Sequence, residues 1–226
     1  MAALNGHLDV VKFLFENQAD IMIANKDGWT PLHVASDHGH SDVVKLLLGN
    51  DHYALIKDNL GRPPLFYAIK NSRDAVFHLL QPYQQADAED HFGISALSIA
   101  ARCGREHMVA QLLTIPDIDI NSQDSCGRTP LWWACKQGYV KIAALLRKHA
   151  SDFSFDIAVT EVDMGVPASF NIDGDYCDVC LASVDEAYYY CARCNGGNFV
   201  ICRECHKLGG HCLVQSHILS QYELPS

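Results

Sequence analysis

Short segments with one apolar side recur along the first 150 residues of the chain. Apolar residues crowd into Val43–Leu48 and again into Ile142–Leu146, and polar residues and glycines separate such segments from one another. Apolar positions at this spacing are typical of a helix that buries one face. No run approaches the roughly 18 apolar residues of a membrane-spanning helix. The pattern predicts a mainly α fold built from short helices.

The sequence repeats with a period of about 33 residues. Alanines recur at steps of 33, 33, 32 and 34 residues, at Ala2, Ala35, Ala68, Ala100 and Ala134. The segment 28–35, which ends at the second of these alanines, recurs closely at 61–68 and 127–134 and more loosely at 93–100. A fixed period of this length indicates a solenoid of stacked units.

The recurring positions predict where each helix begins and ends. Hydroxyl side chains that can cap a helix come first, and proline follows at the first helical position, where its missing N–H costs nothing. Glycine follows where a short helix ends in the left-handed conformation. The caps are Thr30, Ser95 and Thr129, the prolines are Pro31, Pro64 and Pro130, and the glycines are Gly39, Gly104 and Gly138. Each unit is therefore predicted to be a turn followed by two antiparallel helices.

Residues 1–152 resemble the ankyrin repeat, which has a 33-residue period and a Thr-Pro-Leu-His signature. Only Thr30–His33 carries the whole signature; Pro63 and Phe66 replace its ends in the third unit, and Ser98 replaces the histidine in the fourth. The resemblance implies a solenoid of helix-turn-helix units that binds protein partners through its turn tips and inner helices.

Aromatic and arginine side chains at those positions are the candidate contacts, because these residue types are enriched at the centre of protein interfaces. Mapped by the resemblance, they are Trp29, Arg62, Phe92, Arg128 and Trp133. The alternative for Trp133 is a packing role, since large aromatic side chains are mostly buried.

The first unit is incomplete, because it begins inside its inner helix. Residues 4–14 match the later part of the repeat, but the turn that precedes it in other units is missing. A solenoid end normally carries a polar cap. We therefore expect an apolar face to be exposed there, and we expect the chain to belong to a longer array or to lack its beginning.

The charge of the chain limits the classes of partner. The net charge is −10, from 17 Lys and Arg against 27 Asp and Glu. Nucleic-acid phosphates need a basic surface and anionic lipids repel an acidic one, so we expect neither as a partner. The start of the chain lacks the pattern of a secretion signal, which favours an intracellular protein of cytoplasm or nucleus.

An acidic linker is predicted at residues 153–174. Six acids and no Lys or Arg lie within 151–175. Apolar residues alternate with others from Phe153 to Val159, and this alternation fits a strand that caps the last unit as well as it fits a solvated tether.

Cysteines crowd into the tail, where seven of the ten lie between Cys177 and Cys212. A Cys-x-x-Cys pair aims two sulfurs at one point, and thiolates together with imidazole suit Zn²⁺. The predicted ligands are Cys177, Cys180, Cys191, Cys194, Cys202, Cys205, His211 and His217. Eight ligands suffice for two structural, tetrahedral zinc ions, paired consecutively or interleaved. Tyr188–Tyr190 and Phe199–Ile201 are predicted to be short strands that pair.

Residues 175–226 resemble a ZZ-type zinc finger, a small α+β module, in their cysteine pairs, intervening strand and trailing histidines. The resemblance implies interleaved sites, with Cys177, Cys180, Cys202 and Cys205 on one ion and Cys191, Cys194, His211 and His217 on the other. It also implies that Asp178 and Asp175 bind the free amino terminus of a peptide, since carboxylates attract an ammonium group. The stretch 195–201 lacks the acidic run that many members carry there.

Together these features predict an adaptor that is not an enzyme. The repeats would bind a protein, the finger would bind a protein or a peptide N-terminus, and zinc would be structural because four protein ligands leave no open position. The alternative is the recognition part of a larger ubiquitin ligase or nucleotide hydrolase whose catalytic domain lies outside this chain. Disulfide scaffolding is a further alternative for the cysteines.

Overall fold

A computed structural model describes residues 1–49, 51–83, 89–152, 188–191, 199–202 and 218–222. The helices are α1 (Leu8–Glu16), α2 (Pro31–His38), α3 (Ser41–Leu47), α4 (Pro64–Lys70), α5 (Asp74–Leu80), α6 (Ala96–Arg102), α7 (Glu106–Leu112), α8 (Pro130–Lys136) and α9 (Val140–Asp152). Short 3-10 turns lie at Asp51–Leu55 and Gln81–Tyr83. No helix within the described ranges is both long and apolar enough to cross a membrane.

The inner helices begin and end where the sequence predicts. The hydroxyl oxygens of Ser95 and Thr129 each accept a hydrogen bond from the backbone N–H three residues later, at 3.1 Å. Proline stands at the first helical position of α2, α4 and α8. Gly39 ends α2 with φ 83°, a conformation in which a Cβ atom would be strained. The predicted caps at Ser95 and Thr129 and the predicted stop at Gly39 are therefore confirmed.

The described residues form five stacked units, which we number by their helices. The first contributes α1, the second α2 and α3, the third α4 and α5, the fourth α6 and α7, and the fifth α8 and α9. The inner helices α2, α4, α6 and α8 pack side by side, while α1, α3, α5, α7 and α9 form the outer layer. The repeating alanines Ala35, Ala68, Ala100 and Ala134 are fully buried between the layers. Only a small side chain fits there, which explains the alanine period.

In the second, third and fourth units, the residue after the turn between the paired helices ties its unit to the preceding one. His40 Nε2 donates to the Leu4 carbonyl at 2.8 Å, Arg73 Nε to the Asp37 carbonyl at 2.9 Å, and Arg105 Nη2 to the Lys70 carbonyl at 2.6 Å. The Asp37 and Lys70 carbonyls lie in the last turns of α2 and α4, where they have no partner within the helix.

The outer face of the first unit exposes apolar side chains, as predicted. Val10 is 48% exposed and Leu14 is 43% exposed, whereas Val43 and Leu47, at the same places in the second unit, are 1% and 2% exposed. The difference arises because each later outer helix is covered by the unit before it.

A small antiparallel sheet is described in the tail, with strand order β2-β1-β3. Its strands are β1 (Tyr188–Cys191), β2 (Phe199–Cys202) and β3 (Ser220–Tyr222). The predicted pairing of the first two strands is confirmed, with Tyr188 opposite Cys202 and Cys191 opposite Phe199. The sequence did not predict β3, which pairs along the other edge of β1.

Candidate functional site

The turns that precede the inner helices share one device, an acidic or amide side chain three residues before a glycine. The Oδ1 atom of each accepts two backbone N–H groups of its own turn at 2.9–3.0 Å. The four residues are Asn25, Asp58, Asp90 and Asp124. Such bonds hold the chain in a tight turn, and the following glycine supplies the positive φ that the turn requires.

The second carboxylate oxygen of each aspartate takes a donor from an inner helix or a neighbouring turn. Asp58 accepts the hydroxyl of Tyr67. Asp124 accepts Nε1 of Trp133 at 3.2 Å and Nε of Arg128 at 2.8 Å. Tyr67 and Trp133 occupy the same place, directly before the buried alanine of their units. In these two units, a polar aromatic side chain at this position therefore donates a hydrogen bond to the second carboxylate oxygen of its own turn.

In the fourth unit, the second carboxylate oxygen of the turn aspartate takes its donor from the preceding unit. Ile99 stands where Tyr67 and Trp133 stand in their units and cannot donate a hydrogen bond. Arg62 of the preceding turn reaches Asp90 instead, with Nε 2.9 Å from Oδ2, and both side chains are completely buried. Burial raises the pKa of Asp90, and the charge of Arg62 and the turn N–H groups oppose that rise.

These contacts correct four of the five predicted binding residues. Arg62, Phe92, Arg128 and Trp133 are at most 3% exposed, so they do not form part of the exposed surface. They are buried because they donate hydrogen bonds to the turn aspartates or pack against the aspartate turns. For Trp133 the packing alternative is correct, whereas its neighbour Trp132 stays half-exposed. Residue type alone suggested an interface, but the recurring Asx-x-x-Gly spacing could have indicated the turn network.

Trp29 remains on the surface. It is half-buried, with its ring centroid 4.2 Å from that of Tyr67 in the next unit. One face of the indole thus packs within the solenoid, and the rest of the side chain is available for contact. Of the five predicted residues, it is the one that the described structure keeps accessible.

The tips of the turns form an exposed row, which we call the tip row, comprising Lys26, Asn59, His91 and Ser125. Backbone hydrogen bonds join each turn to the next, from Asn59 N to the Asp27 carbonyl at 3.1 Å, from His91 N to the Leu60 carbonyl at 2.9 Å, and from Ser125 N to the Phe92 carbonyl at 2.7 Å. The tips are therefore fixed relative to one another.

The predicted zinc ligands and the predicted peptide-binding residues lie almost entirely outside the described residues. Cys177, Cys180, Cys194, Cys205, His211 and His217 are outside them, as are Asp175 and Asp178, and Cys191 and Cys202 are described in their backbone alone. Within the described part of the chain, no group of three or more His, Cys, Asp or Glu side chains is placed to hold a metal ion.

Comparisons with known proteins bear on the repeats. A family model described as ankyrin repeats in three copies matches residues 1–90 and 71–157, which is more than half of the 226 residues. The chain is also 46% identical, over 35 residues, to the Notch-regulated ankyrin repeat-containing proteins of Homo sapiens, Mus musculus and Xenopus tropicalis. That segment is 16% of this chain and spans 31% of the length of each of those relatives.

Proposed function

This chain belongs to the ankyrin-repeat family, and from that premise we propose that the tip row and Trp29 form its protein-binding face. Ankyrin repeats form a protein–protein interaction module. The single observation that carries the proposal is the exposed tip row, whose members are joined turn to turn by backbone hydrogen bonds.

Rigidity is the physical reason to favour this face over the outer helices. A partner that binds fixed groups loses less conformational entropy than one that must order flexible loops. The aspartate turns supply that rigidity, because each Oδ1 atom holds two N–H groups and each second oxygen is anchored to a buried side chain. Trp29 adds an aromatic surface beside Lys26, and such aromatics dominate interface energies.

Matched charge reversals on the two faces test the proposal. Lys26→Glu with His91→Glu alters the tip row, and Lys141→Glu with His107→Glu makes the same changes on exposed outer-helix positions. We expect partners captured from an extract of the source cells to be lost by the first pair of changes and retained by the second. The affinity of each recovered partner, measured directly, should fall about tenfold or more for the tip-row variant. Equal affinity of both variants for every recovered partner would place the binding face elsewhere.

We further propose that the tail binds two structural zinc ions as a ZZ-type finger. Three Cys-x-x-Cys pairs and two histidines provide a donor set suited to zinc, and fifty residues need such a staple to fold. Zinc would supply a fixed tetrahedral centre that holds the ends of the strands together.

The strand register supports keeping the second and third cysteine pairs on different ions. The Cα positions of Cys191 and Cys202 are three residue pairs apart along the β1–β2 ladder. That separation is about 10 Å at the usual rise of a strand, too far for both cysteines to bind one tetrahedral ion without moving the backbone. Consecutive and interleaved arrangements both satisfy this limit; the family resemblance favours the interleaved one.

Metal content tests the zinc proposal directly. Elemental analysis of the purified chain should give two zinc ions for each chain, and chelation should expose thiols that were protected before. A well-folded preparation that contains no transition metal would remove zinc from the account. Asp178→Asn, with Asp175→Asn beside it, should abolish binding of a free-amine peptide and leave the zinc content unchanged. If the unaltered chain binds acetylated and free-amine peptides equally, recognition of a peptide N-terminus fails.

A further inference from the structure

The inner helices α4 and α6 are buried on every side. All residues of α4, including Lys70, and all residues of α6, including Arg102, are buried. Stacking accounts for three sides of each helix, because the inner helices before and after it and its own outer helix pack against it. The fourth side is the concave face of the solenoid, which stacking leaves open. Burial on this side therefore requires a cover.

The inner helices at the two ends keep part of the same face open. Two residues after the buried alanine, Asp37 of α2 and Lys136 of α8 are half-buried, whereas Lys70 and Arg102 are 5% and 1% exposed. Lys70 and Lys136 are the same residue type, so the difference comes from their surroundings. Long cationic side chains are seldom buried so completely. The cover therefore lies over the third and fourth units.

The tail supplies a side chain that packs on the repeats. Leu219, which directly precedes β3, is half-buried and packs against the buried core, whose members all lie in the repeat units. Its neighbours Ile218 and Ser220 are exposed, and Ile218 is 90% exposed. Such alternation points one side chain toward a surface and its neighbours away from it. Residues 218–222 are thus the described part of the tail that contacts the repeats.

We propose that the concave side of α4 and α6, which we call the inner face, is a docking surface for residues 218–222 of this chain, with Leu219 as the anchor. The inner face carries Lys70, Ile99 and Arg102. Ile99 and the hydrocarbon stems of the two cations present apolar surface to a leucine. This inference goes beyond the proposed function, because here the repeats bind a segment of their own chain.

The covalent connection makes one apolar anchor sufficient. A tethered segment meets its surface at a high effective concentration, so it docks through a contact that would hold a free peptide only weakly. The docked tail leaves the tip row open to outside partners and closes the inner face to them. Release of the tail exposes the inner face as a second surface.

Amine labelling of the full chain measures the cover directly. Acetylation followed by peptide mapping gives the modification rate of Lys70 relative to Lys141, whose side chain is 80% exposed. Leu219→Asp removes the anchor and should raise the Lys70 rate at least about tenfold, the equivalent of losing one buried leucine contact. Ile218→Asp adds the same charge at the exposed neighbour and is the matched control. It should leave the Lys70 rate as in the unaltered chain.

Cross-linking locates the anchor without adding a charge. A short thiol–thiol cross-linker should join the two introduced residues of Leu219→Cys with Lys70→Cys, identified by mapping the linked peptides. Leu219→Cys with Lys136→Cys is the matched pair, since position 136 is the same place in the fifth unit and is half-buried rather than buried. It should give at least about tenfold less product, because position 136 lies two units away along the stack. Far-UV circular dichroism and zinc content should match those of the unaltered chain in every variant.

Three results would overturn the proposal. One is acetylation of Lys70 in the unaltered chain as fast as that of Lys141, because the inner face would then be open. Another is continued protection of Lys70 in Leu219→Asp with normal zinc content, which would assign the cover to a different contact. The third is equal cross-linking to positions 70 and 136, which also decides the matter where Leu219→Asp lowers the zinc content. None of these results alters partner capture by the tip row, so the proposed function would stand.

Discussion

Replacing Asp90 with alanine should be among the most damaging single changes in the repeats. The side chain accepts N–H groups from Phe92 and Ile94 at 2.9 Å each, and it accepts Arg62 Nε at 2.9 Å. Asp90→Ala therefore opens a turn and removes the carboxylate that accepts Arg62 Nε in the preceding unit.

The expected loss can be worked from these contacts. Removing one member of a buried ion pair costs about 3–5 kcal/mol, and two lost turn hydrogen bonds add on the order of 1–2 kcal/mol. A domain of this kind has roughly 5–15 kcal/mol of stability in total. Asp90→Asn should cost less than alanine, because an amide oxygen can still accept both turn N–H groups. Burial already disfavours the charged form of Asp90, so neutral asparagine avoids part of the desolvation cost.

Urea unfolding, followed by tryptophan fluorescence and circular dichroism, measures the effect. The control is Glu106→Ala, which breaks the exposed pair between Lys141 and Glu106, where the nitrogen–oxygen distance is 3.5 Å and the side chains are 80% and 50% exposed. That pair should contribute less than about 1 kcal/mol. If Asp90→Ala loses no more stability than Glu106→Ala, the turn network does not hold the units together.

Three further predictions follow from single side chains. Burial lowers the pKa of His33 from 6.5, so below about that pH the unfolded chain binds a proton that the folded chain does not. The free energy of unfolding of the unaltered chain, relative to that of His33→Phe, which copies the third unit, should therefore fall on acidification in urea titrations. A difference that stays constant with pH would contradict this prediction. Burial raises the thiol pKa of Cys103 to about 11. Peptide mapping after iodoacetamide treatment near pH 8 should therefore find Cys126 and Cys135 modified before Cys103. Equal labelling of the three cysteines would be inconsistent with the burial of Cys103. Cys191→Ser should lower the zinc content and leave the helical circular dichroism signal unchanged. The control, Cys126→Ser, should change neither the zinc content nor the helical signal. Loss of the helical signal in Cys191→Ser would mean that the tail and the repeats do not fold separately.

Local rules predicted the helices well because the information lies within a few residues. A hydroxyl, a proline and a closing glycine are adjacent in sequence to the groups they satisfy, as at Thr129, Pro130 and Gly138. The alanine period likewise reports a contact that recurs in every unit. These features need no knowledge of which distant residues meet.

Four of the five predicted contact residues are buried for a reason that is not local in sequence. Arg62 is hydrogen-bonded to a side chain 28 residues away, and that partner follows from the third dimension rather than from any local pattern. Trp133 and Trp132 are adjacent in sequence and equally aromatic, yet the turn of the helix buries the first and leaves the second half-exposed. Residue type identified four side chains that stabilise the aspartate turns, and Trp29 is the one of the five that stays accessible.

The pairing of Arg62 with Asp90 also limits how the array can be rearranged. The fifth unit carries both members of its own pair, Arg128 and Asp124, so moving or exchanging that unit keeps the pair intact. The third and fourth units share one pair between them, and a deletion, duplication or insertion at their junction leaves a buried charge on each side. Recombination at that boundary is therefore far less tolerated than at the next one, although the spacing of the repeats is nearly the same at both.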